Sequence, residues 1–459
     1  MVWQSIIWVK RNAMAMLTDI TKKDKNPVQR MTTGFLPAKI TIPLCQEDGF
    51  ECTSSVKPGD SVREGQVIAD VSRDEYGSKS FGAAKIHSPI PGTVTEIKSC
   101  TYPNGKQGKA VEIFLNGSFT YLGKQQTVFD WKNYSPAMLL RTISEGGVIN
   151  TFSNSSYSSF EIEMNKIKDE KDKKLVIRLF DEDPSCQADS ILTRSEFEKI
   201  ATGIYISAKV LDANEIIIAY AKNAKLPAAV DIETKELFGS IPVTFIEIDT
   251  RFYPCGGKRE LIKAWQKQRR AAVSDKEMLR TCFFTDSTTM FHVYNAVVLN
   301  IPVETVNVFV TGDCLQANAL LKVCVGTSFK TIAKQCGGFT KKLGKIIVNG
   351  QISGVAINSL DTPVTKYVKS ISFNSRQDNY DRSVGVCLRC GRCRSVCSLD
   401  LSPNIIYAKK INNAQVDPIY LESAMLCTEC GLCSAICPSK LPLTHVIRLL
   451  KEESKENVK

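Results

Sequence analysis

Two cysteine runs constrain this chain more than any other feature. Residues 387–398 read CLRCGRCRSVCS and residues 427–439 read CTECGLCSAICPS. Each run places its cysteines at spacings of two, two and three, and the second run begins forty residues after the first. Iron–sulfur cubanes need four thiolates each, and C-x₂-C-x₂-C wraps three of them around one face. Structural zinc is the alternative, but it prefers two separate C-x₂₋₄-C pairs. Eight cysteines in register are far more specific than that. The fold must bring the two runs together, and the segment from Pro403 to Met425 is long enough to hold helices that do so.

In two-cluster arrangements with this spacing, the fourth cysteine of each run ligates the other cluster. The expected ligands are therefore Cys387, Cys390, Cys393 and Cys437 for one [4Fe–4S] cluster, and Cys427, Cys430, Cys433 and Cys397 for the other. Gly391 and Gly431 are expected where the backbone passes close to sulfide. Pro438 follows the second run and discourages a continuing helix, whereas Ser398 stands there in the first. Arg389, Arg392 and Arg394 lie among the first ligands, either to stabilise a reduced cluster or simply as a solvated face.

The other nine of the 17 cysteines are scattered without ligand spacing. With no signal peptide, they read as small buried residues of a reducing compartment. A length of 459 residues allows two to four domains. The one apolar run near the start, Val2 to Val9, is too short to span a bilayer. With six Lys/Arg and two Trp, the first thirty residues read as a weak membrane-surface contact or a disordered extension. The formal net charge of +11 falls to about +7 once two clusters with their thiolates are counted. A basic surface suits an acidic electron carrier or an anionic membrane face. No nucleic-acid-binding module is present.

Residues 57–98 alternate short apolar strands with Pro-Gly and Glu-Gly turns, a compact β unit that resembles the barrel-sandwich hybrid of biotinyl and lipoyl carriers. Lys79 and Lys85 lie where a carrier's acceptor lysine would, but their flanks do not match, and both read as ordinary surface lysines. From 135 to 290, strand-like LVIRLF (175–180), EIIIAYA (215–221) and VTFIEID (243–249) alternate with helical stretches such as Thr193 to Leu211. That alternation argues a parallel α/β sheet. The polar stretch 153–174 reads as a mobile loop. A smaller β-rich unit covers 303–360 with a helix around Thr327 to Gln335. SFNSRQDNYDRS (372–383) reads as a linker, and KEESKENVK as a charged tail.

In this order, the parts resemble the RnfC family, a component of the Rnf electron-transport complex. GDSVREGQVIA followed by HSPIPGTV, FYPCGGKRELI (252–262), VFVTGD (308–313), VGTSF (325–329), the Asp361–Pro363–Lys366 stretch and both cysteine runs carry the resemblance, from about Gly34 to Leu450. It implies a multidomain α/β + β chain: an N-terminal extension (1–33), a barrel-sandwich hybrid (34–130), an α/β domain like the flavin subunit of respiratory complex I (131–295), a β-grasp-like unit (296–371), a two-cluster ferredoxin-like helical domain (372–450) and a tail (451–459). It also implies an FMN and NADH site in the α/β domain, built on a Gly-x-Gly-Gly-Ala-Gly-Phe-Pro loop that cradles phosphate. Here that stretch reads ISEGGVINTFSNSS, keeping only Gly146 and Gly147. The family's Asn-Gly-Ala-Glu-Cys-Glu-Pro landmark reads RLFDEDP, keeping Asp181, Asp183 and Pro184 but replacing Asn and Gly with Arg178 and Leu179. These four residues, Gly146, Gly147, Asp181 and Asp183, are what remains of the cofactor site, and the departures argue against hydride transfer from NADH.

The resemblance implies a peripheral iron–sulfur subunit on the cytoplasmic face of a bacterial cell membrane. Its partners would be the other subunits of an Rnf-type ion-translocating oxidoreductase and a soluble ferredoxin or flavodoxin. Two other readings remain: an FMN-dependent NADH oxidiser with a diverged but working loop, and a cobalamin-reductase-like flavoprotein.

Overall fold

The computed structural model describes residues 28, 31–47, 51–71, 84–153, 157–222, 224, 238–375, 384–412 and 418–456. Lys79 and nearly all of the first thirty residues lie outside them.

The first unit is a pair of small antiparallel sheets. One carries Lys39–Pro43, Gln107–Leu115, Gly92–Thr101 and Ser61–Val62, in that order; the other carries Thr53–Ser54, Val67–Asp70 and Ile86–His87. Alternation sends Ile40, Ile42, Val111 and Ile113 inward, where they meet Ile68 and Ile86 with almost no exposure. Lys85 is not a free surface lysine: its ammonium pairs with Glu145 at 2.5 Å and Asp70 at 3.6 Å, fastening this unit to the next.

The second unit is a four-stranded, all-parallel sheet in the order Val243–Ile248, Glu215–Ala221, Lys174–Arg178, Cys282–Asp286. Strands covered on both faces read as continuous apolar runs, which is why LVI and EIII announce themselves in the sequence. Helices Phe197–Leu211 and Ser287–Val298 cover one face through Ile200, Ile204, Met290 and Val293. Helix Lys258–Arg269 covers the other through Leu261, Ile262 and Trp265. The single helix expected from Thr193 to Leu211 is interrupted at Glu196, with a separate helix Ala188–Ser195 before it. The stretch 153–174 is no mobile loop where it is described. Ser159 caps a helix, Phe160–Asn165, by accepting from the Ile162 N–H, and Phe160, Met164 and Ile167 enter the core.

The third unit is a mixed six-stranded sheet: Met31–Thr33, Ala319–Cys324, Thr305–Thr311, Ser370–Ser375, Leu343–Val348 and Val355–Ile357. Helix Phe329–Gln335, capped by Ser328, packs Phe329 and Ile332 into the core. Two expectations are corrected here. Met31–Thr33 is not part of a loose extension but pairs in parallel with Leu320–Lys322. Residues 372–375 are not linker but the end of a central strand, with Ile371 and Phe373 fully buried.

The fourth unit is helical and carries both cysteine runs. Pro403–Ile411, Pro418–Leu426 and Leu443–Glu456 pack through Ile406, Ala424, Ile447 and Leu450. The charged tail is therefore helix as far as Glu456, because Leu443, Val446, Ile447 and Leu450 recur at helical spacing and bury one face. Lys410 and Glu453 pair across it.

Candidate functional site

The fold sorts the eight run cysteines into two quartets, each drawn from both runs. Cys387, Cys390, Cys393 and Cys437 line one pocket. Cys397, Cys427, Cys430 and Cys433 line another. The crossing follows from local symmetry. Each run turns through left-handed residues at matching positions, Arg389 with Glu429 and Gly391 with Gly431. Each then starts a one-turn helix, Arg392–Ser395 or Leu432–Ala435, that aims its fourth cysteine back toward the other run. Gly431 also meets close packing, since a Cβ there would lie 2.0 Å from the Ile352 carbonyl oxygen; at Gly391 nothing stands within 4 Å. The need for glycine is thus conformational at both positions and steric at the second.

The donor chemistry fits a cubane better than a single ion. A zinc holds every sulfur about 2.3 Å from one point. Among the described residues, no three His, Cys, Asp or Glu side chains converge to hold a single metal ion. Two open cavities, each walled by four sulfurs, are what a multi-atom cluster requires.

The second quartet is enclosed by the rest of the protein. The Tyr253 hydroxyl donates to the Cys430 carbonyl at 2.5 Å. Glu429 is buried and accepts from Arg448 at 2.7 Å and from Lys451 at 2.9 Å. Arg448 also donates to the Ser353 carbonyl, and Lys451 to the Cys427 carbonyl. The turn bearing Ile352 and Ser353 is itself fixed by Asp183, whose Oδ2 accepts from both backbone N–H groups at 3.0 Å. Asp183 thus ties the parallel-sheet unit to the turn against which the second quartet packs.

Doubly wound sheets bind ligands where the strand order reverses, at the carboxyl ends of the strands. Here that point lies between Lys174–Arg178 and Cys282–Asp286, whose last residues, Arg178 and Asp286, stand in register. The chain fills it with its own side chains. Arg178 is 1% exposed and donates to the carbonyls of Phe180, Gly256 and Phe152 and to Glu182, with its guanidinium 4.3 Å from the Phe152 ring centre. Burial opposes its charge, but Glu182, Asp286, Asp189 and Asp181 outweigh burial and hold it above its ordinary pKa. Beside it, the buried Lys369 ammonium lies 2.6 Å from both Asp189 and Asp286. Burial lifts Asp189 to about 6; Asp286 stays below its ordinary value because Lys369 and Arg178 offset its burial.

The four residues expected to mark a flavin and NADH site are used otherwise. Asp181 accepts from the N–H groups of Asp189 and Ser190 at 3.0 Å, so the helix N-terminus that would receive a phosphate already carries the chain's own anion. Asp286 does the same for the helix Ser287–Val298 through the Thr289 N–H. Gly146 and Gly147 end the helix Pro136–Glu145. A Cβ on Gly147 would strike the Lys85 carbonyl and the Lys366 ammonium. Lys366 donates to the carbonyls of Lys85 and Gly147, and burial lowers its pKa to about 8. Val148, Ile149, Asn150 and Thr151 follow, all buried, with Thr151 bonded to Asp286. Leu179 packs into the main core. Four carboxylates around this crevice, Asp181, Glu182, Asp189 and Asp286, with no free glycine run, do not fit a cofactor phosphate. Lys369, Asp189 and Asp286 had no signal in the sequence beyond their residue types, whereas Tyr253 lies in the FYPCGGKRELI stretch.

Comparison with known proteins finds matches toward both ends of the chain. Residues 19–118 match the family model described as RnfC Barrel sandwich hybrid domain, and residues 383–441 match a 4Fe-4S dicluster domain. Among relatives, the chain is similar to the RnfC-type component of the proton-translocating ferredoxin:NAD(+) oxidoreductase complex of Clostridium ljungdahlii, 26% identical over 81% of this chain and 78% of that one. It is also similar to the corresponding component of the ion-translocating oxidoreductase complex of Rhodobacter capsulatus, at 27% over 80% and 69% of the two chains. The counterpart from Methanosarcina acetivorans is 27% identical over 86% and 85%. Among solved structures, a chain of an NAD+-reducing [NiFe]-hydrogenase aligns at a TM-score of 0.48 and 13% identity, over 69% of this chain and 63% of its own. The barrel-sandwich hybrid, the dicluster segment and the relatives spanning most of the chain lead to one conclusion: this chain is similar to RnfC-type proteins along most of its length.

Proposed function

We propose that this chain is the electron-transfer subunit of an Rnf-type oxidoreductase that couples electron flow to ion translocation. It would be attached peripherally to the cytoplasmic face of a bacterial membrane through the other subunits. No helix among the described residues is long and apolar enough to cross a membrane, which suits attachment through partners. The observation that carries the reading is the pairing of two open cavities, each walled by three cysteines of one run and the fourth of the other. Cys387, Cys390, Cys393 and Cys437 would hold one [4Fe–4S] cluster, and Cys427, Cys430, Cys433 and Cys397 the other. Such clusters supply one-electron transfer at low potential. The chain's own residues set the conditions. Tyr253, Ile352 and the Glu429–Arg448–Lys451 group exclude water from the second quartet and fix its backbone.

The α/β domain works as a scaffold on this reading. Arg178, Lys369 and four carboxylates occupy the crevice where the family's flavin and nicotinamide would bind, which supports a chain that takes up electrons singly from a ferredoxin or flavodoxin. Cys437→Ala tests the ligand assignment. It should alter the EPR signal of the cluster held by Cys387, Cys390 and Cys393 and leave the other intact. Damage confined to the Cys427 cluster would reject the crossed assignment.

A further inference from the structure

The two quartets differ in how they meet solvent, and the difference points outward at the first. Cys390 is the one exposed thiol among the eight. The backbone leading to Cys387 wraps this quartet: Gly385 donates to the Ser439 carbonyl, and the Ser439 hydroxyl donates to the Val386 carbonyl. That wrap leaves apolar side chains in water, with Val384 57%, Val386 85% and Leu388 68% exposed. Apolar residues beside a ligand run would ordinarily pack inward, as Val396 and Leu432 do next to Tyr253. These three have no such cover among the described residues.

Along the run itself, between Asp381 and Asp400, the charges are of one sign. Residues 384–399 hold three arginines and no acid. Arg389 and Arg394 are exposed and make no ion pair among the described residues. The second run is the internal control. At the position matching Arg389 it carries Glu429, which is buried and neutralised by Arg448 and Lys451. An apolar centre with arginines at its rim is the composition of a protein-binding patch, and an unpaired cationic rim selects an acidic partner.

We propose that Val386, Leu388, Arg389 and Arg394 form the docking surface for a small acidic iron–sulfur carrier protein, seated over Cys390. The proposal rests on the electron-transfer reading and adds where the carrier binds. Electrostatic complementarity would speed encounter and set orientation, and the apolar centre would exclude water from the short gap between the two proteins. An anionic membrane surface is the competing occupant of a basic, apolar patch. It is disfavoured because the patch is confined to one ligand run rather than spread along an amphipathic helix.

The test is binding of an oxidised, acidic two-cluster ferredoxin to the anaerobically purified holo-protein, with no turnover. Wild type should bind it, and the affinity should fall as salt is raised from 50 to about 500 mM, because exposed charges are screened over this range. The double variant Arg389→Glu/Arg394→Glu should weaken binding about tenfold or more at low salt and flatten the salt dependence. Val386→Asp, at a side chain with no packing role, should also weaken binding and guards against a rim variant that loses its cluster. Iron content and EPR of the same samples separate the two claims. If clusters are intact and both variants bind like wild type, the surface is wrong and the cluster assignment stands. Salt-independent binding, or preferential binding to vesicles with 30% anionic lipid over the ferredoxin, would also overturn it. Absence of clusters from wild type would remove the reading beneath it.

Discussion

Replacing Lys369 with Met tests whether the crevice of the parallel sheet is held shut by charge. The lysine ammonium lies 2.6 Å from Asp189 and 2.6 Å from Asp286, and neither carboxylate is more than 1% exposed. Methionine keeps the length and removes the charge. Each carboxylate keeps neutral partners: Thr288 for Asp189, and Thr151 and Thr289 for Asp286. The loss is therefore chiefly the uncompensated charge, and breaking a buried pair in this way costs about 3–5 kcal/mol. For a domain of this size, that is a fall in Tm of about 6–20 °C. The sign with pH follows from which state holds the proton. Burial already lifts Asp189 to about 6 with the lysine present. Without it, the folded protein keeps a proton on one carboxylate where the unfolded chain, near its ordinary ~3.9, has released it. The folded state then binds more protons, so the variant gains stability as pH falls. The deficit against wild type, read by thermal unfolding, should be largest at pH 8 and smaller at pH 6. A Tm within about 2 °C of wild type at pH 8, or a deficit that grows on acidification, would refute the reasoning.

Gly431→Ala should strip iron from the second quartet, because its φ of 78° and the Ile352 carbonyl 2.0 Å from the new Cβ both resist the side chain. Gly391→Ala, with open space around it, should lose less; equal losses in iron analysis would show that only the backbone conformation matters. Glu429→Gln leaves Arg448 and Lys451 unopposed beside the second quartet, so an EPR-monitored redox titration should move that cluster to higher potential. A shift to lower potential would mean that the two cations leave the site when their carboxylate is removed.

The gathering of the eight cysteines into two mixed quartets was legible because it is written into their spacing. Once C-x₂-C-x₂-C-x₃-C occurs twice, the partner of each fourth cysteine follows without any knowledge of the helices between. The strands of the parallel sheet were legible for a similar reason, since burial on both faces leaves an unbroken run such as EIIIAYA. Composition misled where charge or serine diluted a pattern. Leu443, Val446, Ile447 and Leu450 run straight into the lysine- and glutamate-rich stretch 451–456, and Phe160, Met164 and Ile167 follow a serine-rich stretch, yet both sets keep helical spacing. The short strand Met31–Thr33 draws its stability from Ala319–Cys324, nearly three hundred residues away, and carries no period of its own. The filled crevice was half legible. The loss of glycines at 148–150 and the Arg178–Leu179 replacement suggested closure, but Lys369 lies 180 residues from Asp189 and 83 from Asp286, and only the fold brings them together.

Metal and flavin analysis of the anaerobically purified wild-type chain tests the account most directly. It should contain about eight iron and eight sulfide and no flavin. Incubation with FMN followed by NADH should leave both clusters oxidised. Zinc in place of iron, or stoichiometric FMN with rapid reduction of the clusters by NADH, would contradict it.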